Sequence, residues 1–179
     1  MAWTAPMTAV AGATFTAAAF NTHVRDNLNE TAPAKATAAS QVPVSSGPNA
    51  IAMRSPTAAS ISTLEQTSST TYVDLTTVGP RVTVQTGTIA LVWWACDMAN
   101  NVSNSLSKCS VAVSGASTVA ASDAWMLSLD GNQAGNFSRC SMAHVFTGLT
   151  PGLNTFTMRY GVGSNQGSFR TREINVFPL

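Results

Sequence analysis

The stretch Ile89-Ala-Leu-Val-Trp-Trp-Ala-Cys-Asp-Met98 decides the fold class, because apolar side chains fill it from end to end. Successive side chains of a strand point to opposite faces. One face would carry Ala90, Val92, Trp94, Cys96 and Met98, and the other would carry Leu91, Trp93 and Ala95. Apolar character on both faces predicts a central strand that is covered on both sides. At most one of the two consecutive tryptophans can then face a given core.

Period-two alternation continues on both sides of this stretch, from Ile61 to the end of the chain. Shared faces are predicted for Val82 and Val84; for Cys109, Val111 and Val113; for Trp125, Leu127 and Leu129; for Cys140, Met142, His144 and Phe146; and for Phe156, Met158, Tyr160 and Val162. Turns are predicted at Asp130-Gly131 and at Leu149-Thr-Pro-Gly152, and a last strand at Phe169–Phe177, before Pro178. About eight short strands predict a mainly β fold, an antiparallel β-sandwich or jelly roll, over residues 61–179.

Residues 14–30, in contrast, have the pattern of a short helix. Thr16 is a suitable N-cap, and Phe15 and Phe20 would then form a hydrophobic staple around it. Phe20, Val24 and Leu28 follow at spacing four and form a narrow apolar stripe. A helix of roughly 14 residues is marginal alone in water. It must therefore dock on the body of the chain, on identical helices or on a larger assembly.

The stretch 31–60 is rich in Pro, Ala, Ser and Thr. Proline removes amide donors and disfavours helix, so an extended linker or stalk is predicted. The predicted organisation is an N-terminal segment with a short helix (1–30), this linker (31–60) and the β-domain (61–179).

Composition excludes several function classes. Only 9% of the 179 residues are charged and the formal net charge is +1, which gives no field to attract nucleic acid or an acidic membrane. The N-terminus lacks a secretion signal, and the longest apolar run, Thr88 to Met98, is too short to span a bilayer. Cys96, Cys109 and Cys140 are odd in number and lack a CxxC spacing, which indicates reduced thiols, synthesis in a reducing cytoplasm and no zinc site.

The sequence shows no constellation for catalysis, cofactor binding or metal binding. His144 stands in an apolar row and His23 on the helix, and such lone histidines are typical of cores and interfaces. Four arginines fall in predicted strands: Arg139, Arg159, Arg170 and Arg172. Burying them would be costly, so we expect them to line a polar face or to pair across a subunit contact, with Arg170 and Arg172 the candidates for that contact.

The tryptophans Trp93, Trp94 and Trp125 have two interpretations. Large aromatic side chains are enriched in cores and at subunit interfaces. On a β-sandwich, an exposed tryptophan can instead stack on a sugar ring, which would indicate a carbohydrate-binding module.

The N-terminal segment also carries a resemblance. Trp3, Thr14-Phe-Thr-Ala-Ala-Ala-Phe-Asn21 and Val24-Arg-Asp-Asn-Leu28 resemble the start of small virion proteins of tailed bacteriophages of actinobacterial hosts. In such proteins this segment attaches a projecting domain to the particle. The resemblance implies that Trp3, Phe15, Phe20, Val24, Arg25 and Leu28 form an attachment or subunit interface.

The remaining segments extend this resemblance over most of the chain. Gln41–Arg54 is similar to short β-motifs in phage fibre stalks. Thr71–Leu75, Gly79–Val84, Val113–Ala116, Gly148–Phe156 and Arg172–Val176 together resemble the β-domain that follows the same N-terminal motif. The Leu-x-Pro-Gly turn also occurs in fibronectin-type sandwiches.

The resemblance implies a non-enzymatic protein at the virion surface, synthesised in the host cytoplasm. Its partners would be identical subunits, as a trimer, and another virion protein such as the major capsid or tail protein. It could be a capsid decoration protein or head fibre, or a minor tail protein or fibre. The alternative is a host-adhesion module that binds a surface glycan. Nucleic acid, membrane and cofactors are not expected.

Overall fold

The structure is a computed structural model that describes residues 3–131 and 133–179. The chain divides into two compact units, Met1–Ser55 and Pro56–Leu179. We refer to them as the N-terminal unit and the C-terminal unit.

The N-terminal unit contains the predicted helix. Helix α1 (Ala17–Phe20) continues through a π-helical turn (Asn21–Arg25) into α2 (Asp26–Leu28). The Thr16 hydroxyl accepts a hydrogen bond from the Ala19 amide at 3.1 Å, which confirms the N-cap. The rings of Phe15 and Phe20 meet edge to face with centroids 6.2 Å apart, which confirms the staple.

Residues 31–55 form regular structure where an extended path was predicted. A short helix α3 (Ala32–Lys35) precedes a hairpin of strands β1 (Val42–Gly47) and β2 (Ala50–Arg54). Each proline occupies a position where its missing amide does no harm: Pro33 in the first turn of α3, Pro43 in a two-stranded sheet and Pro48 in the hairpin turn. The extended backbone predicted for this stretch is therefore confined to the two paired strands, and α3 and the hairpin turn interrupt it.

Nine strands make up the described part of the C-terminal unit. They are β3 (Thr57–Ile61), β4 (Glu65–Thr67), β5 (Arg81–Thr86), β6 (Ile89–Asn100), β7 (Ser105–Gly115), β8 (Leu127–Gly131), β9 (Ser138–Thr147), β10 (Gly152–Val162) and β11 (Gly167–Pro178). The first of them begins before residue 61, where the sequence pattern placed the start of the β-domain.

The strands form two antiparallel sheets. The first sheet has the order β3-β11-β6-β9, with β4 also paired to β11, and the second has the order β5-β10-β7-β8. The pairs are nested in sequence: β7 with β8, β6 with β9, β5 with β10 and β3 with β11. Leaving β4 aside, the chain changes sheet at every step except between β7 and β8. This nested, alternating order is that of a jelly roll, one of the two predicted architectures.

The core between the sheets follows the predicted faces. It contains Val82, Val84, Ala90, Val92, Trp94, Cys96, Met98, Cys109, Val111, Val113, Phe156, Met158 and Tyr160. Each fully buried large side chain contributes about 1.5–3 kcal/mol. Two local predictions differ: Trp125 lies in a short 3-10 helix before β8, and Asp130-Gly131 end that strand instead of turning the chain.

Strand β6 is central in its sheet, and its outward face is open in its first half only. Trp94 is fully buried, whereas Trp93 on the opposite face is 53% exposed and Leu91 is 37% exposed. Ala95, on the same face as Trp93, is buried. The prediction of cover on both sides is therefore wrong for Leu91 and Trp93 within a single chain and is confirmed for Ala95.

Strand β11 contains a bulge that changes the expected faces. Its register with β6 shifts between Arg170 and Glu173, and Thr171 adopts a positive φ of 47°. The inserted residue reverses the alternation: Arg170 points outward with its side chain 45% exposed, while Arg172 turns into the interior.

Candidate assembly surfaces

The first candidate surface is the apolar side of the N-terminal helix. Trp3, Phe15, Phe20 and Leu28 are all exposed, and Val24 is half-buried. Leu28 is 59% exposed, although it belongs to the stripe that predicted a docked helix. Arg25 is exposed and its Nε donates to Asp26 Oδ1 at 2.8 Å. The predicted attachment residues are therefore accessible in the chain.

The helix packs within its own unit through polar groups instead. Asn27 is only 4% exposed. Its side-chain amide accepts from the Thr4 backbone N–H at 2.8 Å and donates to the Thr4 carbonyl at 3.0 Å. His23 Nδ1 lies 3.2 Å from the Ala5 carbonyl oxygen. These contacts hold residues 4–5 along the helix, with Trp3 beside them, and leave Phe20 and Leu28 of the apolar stripe exposed.

Sequence reasoning missed the role of Asn27. Asparagine is a poor residue for a helix interior, so its presence in the middle of an apolar pattern was the available signal. The sequence alone does not show that Asn27 is buried, because its burial depends on the extended residues before the helix lying against it.

The second candidate surface is the outward side of the first sheet. We call it the outer face and define it by the residues of β6, β9 and β11 that point away from the second sheet. Neighbouring residues form rows across the three strands. The apolar row Phe177–Leu91–Val145 lies next to the row Asn175–Trp93–Ala143. Ile89, Leu91, Trp93, Val145 and Phe177 are all more than a third exposed.

The opposite end of the outer face is charged. There the row Arg170–Asp97–Arg139 crosses the same strands. Arg139 Nη1 lies 3.1 Å from Asp97 Oδ1, and Arg139 Nη2 lies 3.0 Å from Glu173 Oε2. Arg170 Nε lies 3.6 Å from Asp97 Oδ2, and its guanidinium lies over the Phe137 ring at 4.0 Å. Two cations and two anions thus compensate one another within this end of the face.

A depression of about 510 Å³ lies between the two ends. Trp93 and Phe177 form its apolar side, and Arg139, Glu173 and Asn175 form its polar side. The Asn175 side chain donates to Glu173 Oε1 at 3.2 Å, which links these polar groups into one network.

Arg172, a predicted subunit contact, lies inside the domain. Its exposure is 0%, its Nη1 lies 3.1 Å from Glu65 Oε2, and its Nη2 donates to the Thr63 carbonyl at 3.3 Å. The guanidinium lies 5.4 Å from the Tyr160 ring centroid. The prediction for Arg172 is therefore wrong, because the β11 bulge buries it and Glu65 balances its charge.

Several other titratable groups of the C-terminal unit lie in paired or packed positions. His144 stacks on Trp125 with centroids 5.0 Å apart, and Arg159 pairs with Asp74. In a groove of about 550 Å³ on the second sheet, the Tyr72 hydroxyl donates to Asp123 Oδ1 at 2.7 Å. Burial and this hydrogen bond raise the pKa of Tyr72. The same hydrogen bond, with one from Lys108, lowers the pKa of Asp123. These contacts join Tyr72, Asp123 and Lys108 into one hydrogen-bonded network.

Among residues 3–131 and 133–179, no group of three or more His, Cys, Asp or Glu side chains is placed to hold a metal ion. No helix in the described parts of the chain has the length and apolar character needed to cross a membrane.

Comparison with known proteins gives matches to solved structures alone: no protein-family model and no curated sequence matches the chain. VP2 in a subviral particle of infectious bursal disease virus matches with a TM-score of 0.49 and 10% identity, over 76% of this chain and 37% of that one. The Gx strain of the same virus matches with a TM-score of 0.47 and 11% identity, over 76% of this chain and 36% of that one. The Gt strain matches with a TM-score of 0.42 and 12% identity, over 76% of this chain and 37% of that one.

The chain thus spans little more than a third of the length of the proteins it matches. At these scores the likeness carries no argument. The jelly-roll assignment rests on the strand pairing of the chain itself.

Proposed function

We propose that the chain is a non-enzymatic structural protein of a tailed-bacteriophage virion. Its N-terminal unit attaches it to the particle, and the jelly roll projects from the surface as a trimer of identical subunits. The role is that of a capsid decoration protein or head fibre, or of a minor tail protein or fibre. One observation carries the proposal: both units leave aromatic and aliphatic side chains uncovered on defined faces, as proteins made for permanent contacts do.

The attachment role is supported by the exposed side of the N-terminal helix. Phe20 and Leu28 lie two turns apart on that side, and both are about half exposed. A short amphipathic helix of this kind fits an apolar groove on a larger protein, such as a major capsid or tail protein. The chain's own contacts to the helix use Asn27 and His23, so docking would not compete with folding.

The absence of enzymatic activity is supported by the state of the reactive groups. The thiol of Cys109 is buried, which raises its pKa and disfavours the nucleophilic thiolate. His144 is packed in an aromatic cluster with Trp125 and Phe146. The carboxylates of Asp74 and Asp123 are engaged by Arg159 and Lys108.

Particle composition tests the proposal. Tagged full-length chains are expressed during infection by the phage that encodes this protein, and the purified particles are probed for the tag. The parent chain should co-purify, and Leu28→Asp should reduce incorporation at least tenfold. Val102→Asp alters a comparably exposed side chain in the C-terminal unit and should leave incorporation unchanged. A parent chain absent from the particles contradicts the virion role, and equal incorporation of Leu28→Asp removes attachment from the helix.

A carbohydrate-binding adhesion module is the second candidate function. The depression beside Trp93 favours it, since a half-exposed indole next to the Arg139–Glu173–Asn175 network could stack on a sugar ring and bind its hydroxyl groups. A glycan array probed with the parent chain and with Trp93→Ala tests this function. Parent binding that the variant loses would support it, and an array without signal would reject it.

A further inference from the structure

The outer face has the composition of a protein–protein contact. An apolar and aromatic centre, formed by Leu91, Trp93 and Phe177, adjoins a charged end that contains Arg139 and Arg170. Interfaces combine a desolvated centre with a polar border in the same way, and tryptophan and arginine dominate their binding energy. The half-exposed Trp93 at the meeting point of the two ends is therefore the expected anchor.

The size of the outer face fits a stable contact. Five apolar side chains on this face are each between a third and about half exposed. Because one aromatic side chain has a surface of about 150–250 Å², the exposed apolar area of the five together is on the order of 400 Å². Patches of about 300–600 Å² mark interaction sites on otherwise soluble proteins. Together with its charged end, the face approaches the roughly 800 Å² that each partner contributes to a specific interface.

The charges indicate which partner fits. The positive charges of Arg139 and Arg170 are neutralised by Asp97 and Glu173 within the same face. The partner therefore does not need to supply an opposite charge. A strongly acidic or basic partner would gain nothing there. Further copies present the same uncharged, aromatic surface with an internally neutral border, and around a three-fold axis adjoining parts of it can meet. These copies are present at the same concentration wherever the chain is made.

We propose that the outer face, with Trp93 at its centre, is the contact surface between copies of this chain. This inference rests on the proposed function and adds the surface through which the identical subunits associate. The contact covers Leu91 and Trp93 on the second side of β6, which the sequence pattern predicts to be covered and which a single chain leaves exposed. The N-terminal helix then remains available for the particle.

A matched pair of lysine substitutions tests the contact. Leu91 and Leu153 are both exposed leucines in long strands, but Leu153 lies on the second sheet and is 62% exposed. Full-length parent, Leu91→Lys and Leu153→Lys are compared by analytical ultracentrifugation between 1 and 100 µM. The parent and Leu153→Lys should associate equally, whereas Leu91→Lys should weaken association at least 100-fold. Val145→Lys, on the neighbouring strand β9, should behave like Leu91→Lys.

Two outcomes would overturn the inference. One is a parent chain that stays monomeric at 100 µM. The other is unchanged association in both Leu91→Lys and Val145→Lys, with circular dichroism showing a folded chain. A monomeric parent whose glycan binding is lost in Leu91→Lys would assign the face to a sugar instead. The outcome of the incorporation experiment does not depend on the outcome of this one, because incorporation tests Leu28 and association tests the outer face. A failure of the inference can therefore be told from a failure of the proposed attachment role.

Discussion

Replacing Glu65 by glutamine should destabilise the C-terminal unit strongly, because it leaves a buried guanidinium without its counter-ion. Arg172 is fully buried and its ion pair with Glu65 has an N–O distance of 3.1 Å. Removing one partner of a buried ion pair lowers the free energy of unfolding by about 3–5 kcal/mol. We expect a value at the lower end of this range, since the Thr63 carbonyl still accepts a hydrogen bond from Arg172. A loss of about 3 kcal/mol corresponds to a fall of about 10 °C in the Tm of a domain of this size.

Glu173→Gln is the matched control. Glu173 also pairs with an arginine, at 3.0 Å, but both side chains are about 40% exposed. Exposed pairs contribute about 0–1 kcal/mol, so this variant should unfold close to the parent. Urea unfolding followed by tryptophan fluorescence measures the stability of both variants. The protein concentration is kept low enough for the chain to be monomeric, because Glu173 lies in the outer face and association would shift the midpoint. If Glu65→Gln costs less than 1 kcal/mol, or no more than Glu173→Gln, the reasoning is refuted.

The same site gives a pH dependence. Burial alone would raise the pKa of Glu65, but hydrogen bonds from Thr77 and the charge of Arg172 outweigh it and lower the pKa. A carboxylate with a depressed folded pKa contributes stability that is complete above its unfolded pKa of about 4.3 and is lost as the pH falls through the folded value. The stability difference between parent and Glu65→Gln should therefore be constant near neutral pH and shrink below about pH 4.3.

Two further predictions concern thiols and the N-terminal unit. Mass spectrometry of unreduced, alkylated protein should find Cys96, Cys109 and Cys140 free, since all three are free in the structure and burial raises the pKa of the last two; a quantitative Cys96–Cys140 disulfide would contradict this. Asn27→Ala should speed hydrogen exchange at the Thr4 amide at least tenfold, because it removes the acceptor 2.8 Å away, and unchanged exchange would show that other contacts hold this segment.

The sequence predicts those parts of the fold whose signal is local. Alternation in β6, β7 and β10 identifies the inward faces because each strand keeps a strict period of two. The N-cap at Thr16 and the staple of Phe15 and Phe20 are likewise local. The nested strand order, by contrast, joins segments more than 100 residues apart, such as Ile61 and Arg172, and no periodicity encodes such a pairing.

The candidate surfaces show the same division. Alternation separates Trp93 from Trp94 correctly, but the exposure of Trp93 depends on which strands flank β6 and on what covers the sheet. A regular strand would give Arg170 and Arg172 one face. A single inserted residue, Thr171, sends them to opposite sides. A bulge is set by the partner strand and leaves no clear mark in composition.

The position of β11 within the first sheet bears on the order in which the strands can pair. Strand β11 follows the other eight strands of the C-terminal unit along the chain, yet it lies between β3 and β6 and contributes Phe177, Asn175 and Arg170 to the outer face. A growing chain in which β11 has not yet been made therefore lacks one strand of that face and the pairing that fixes β3. Synthesis proceeds at about 5–20 residues per second, so many seconds separate the synthesis of β3 from that of its partner. The topology thus completes the outer face only after every other strand of the unit exists.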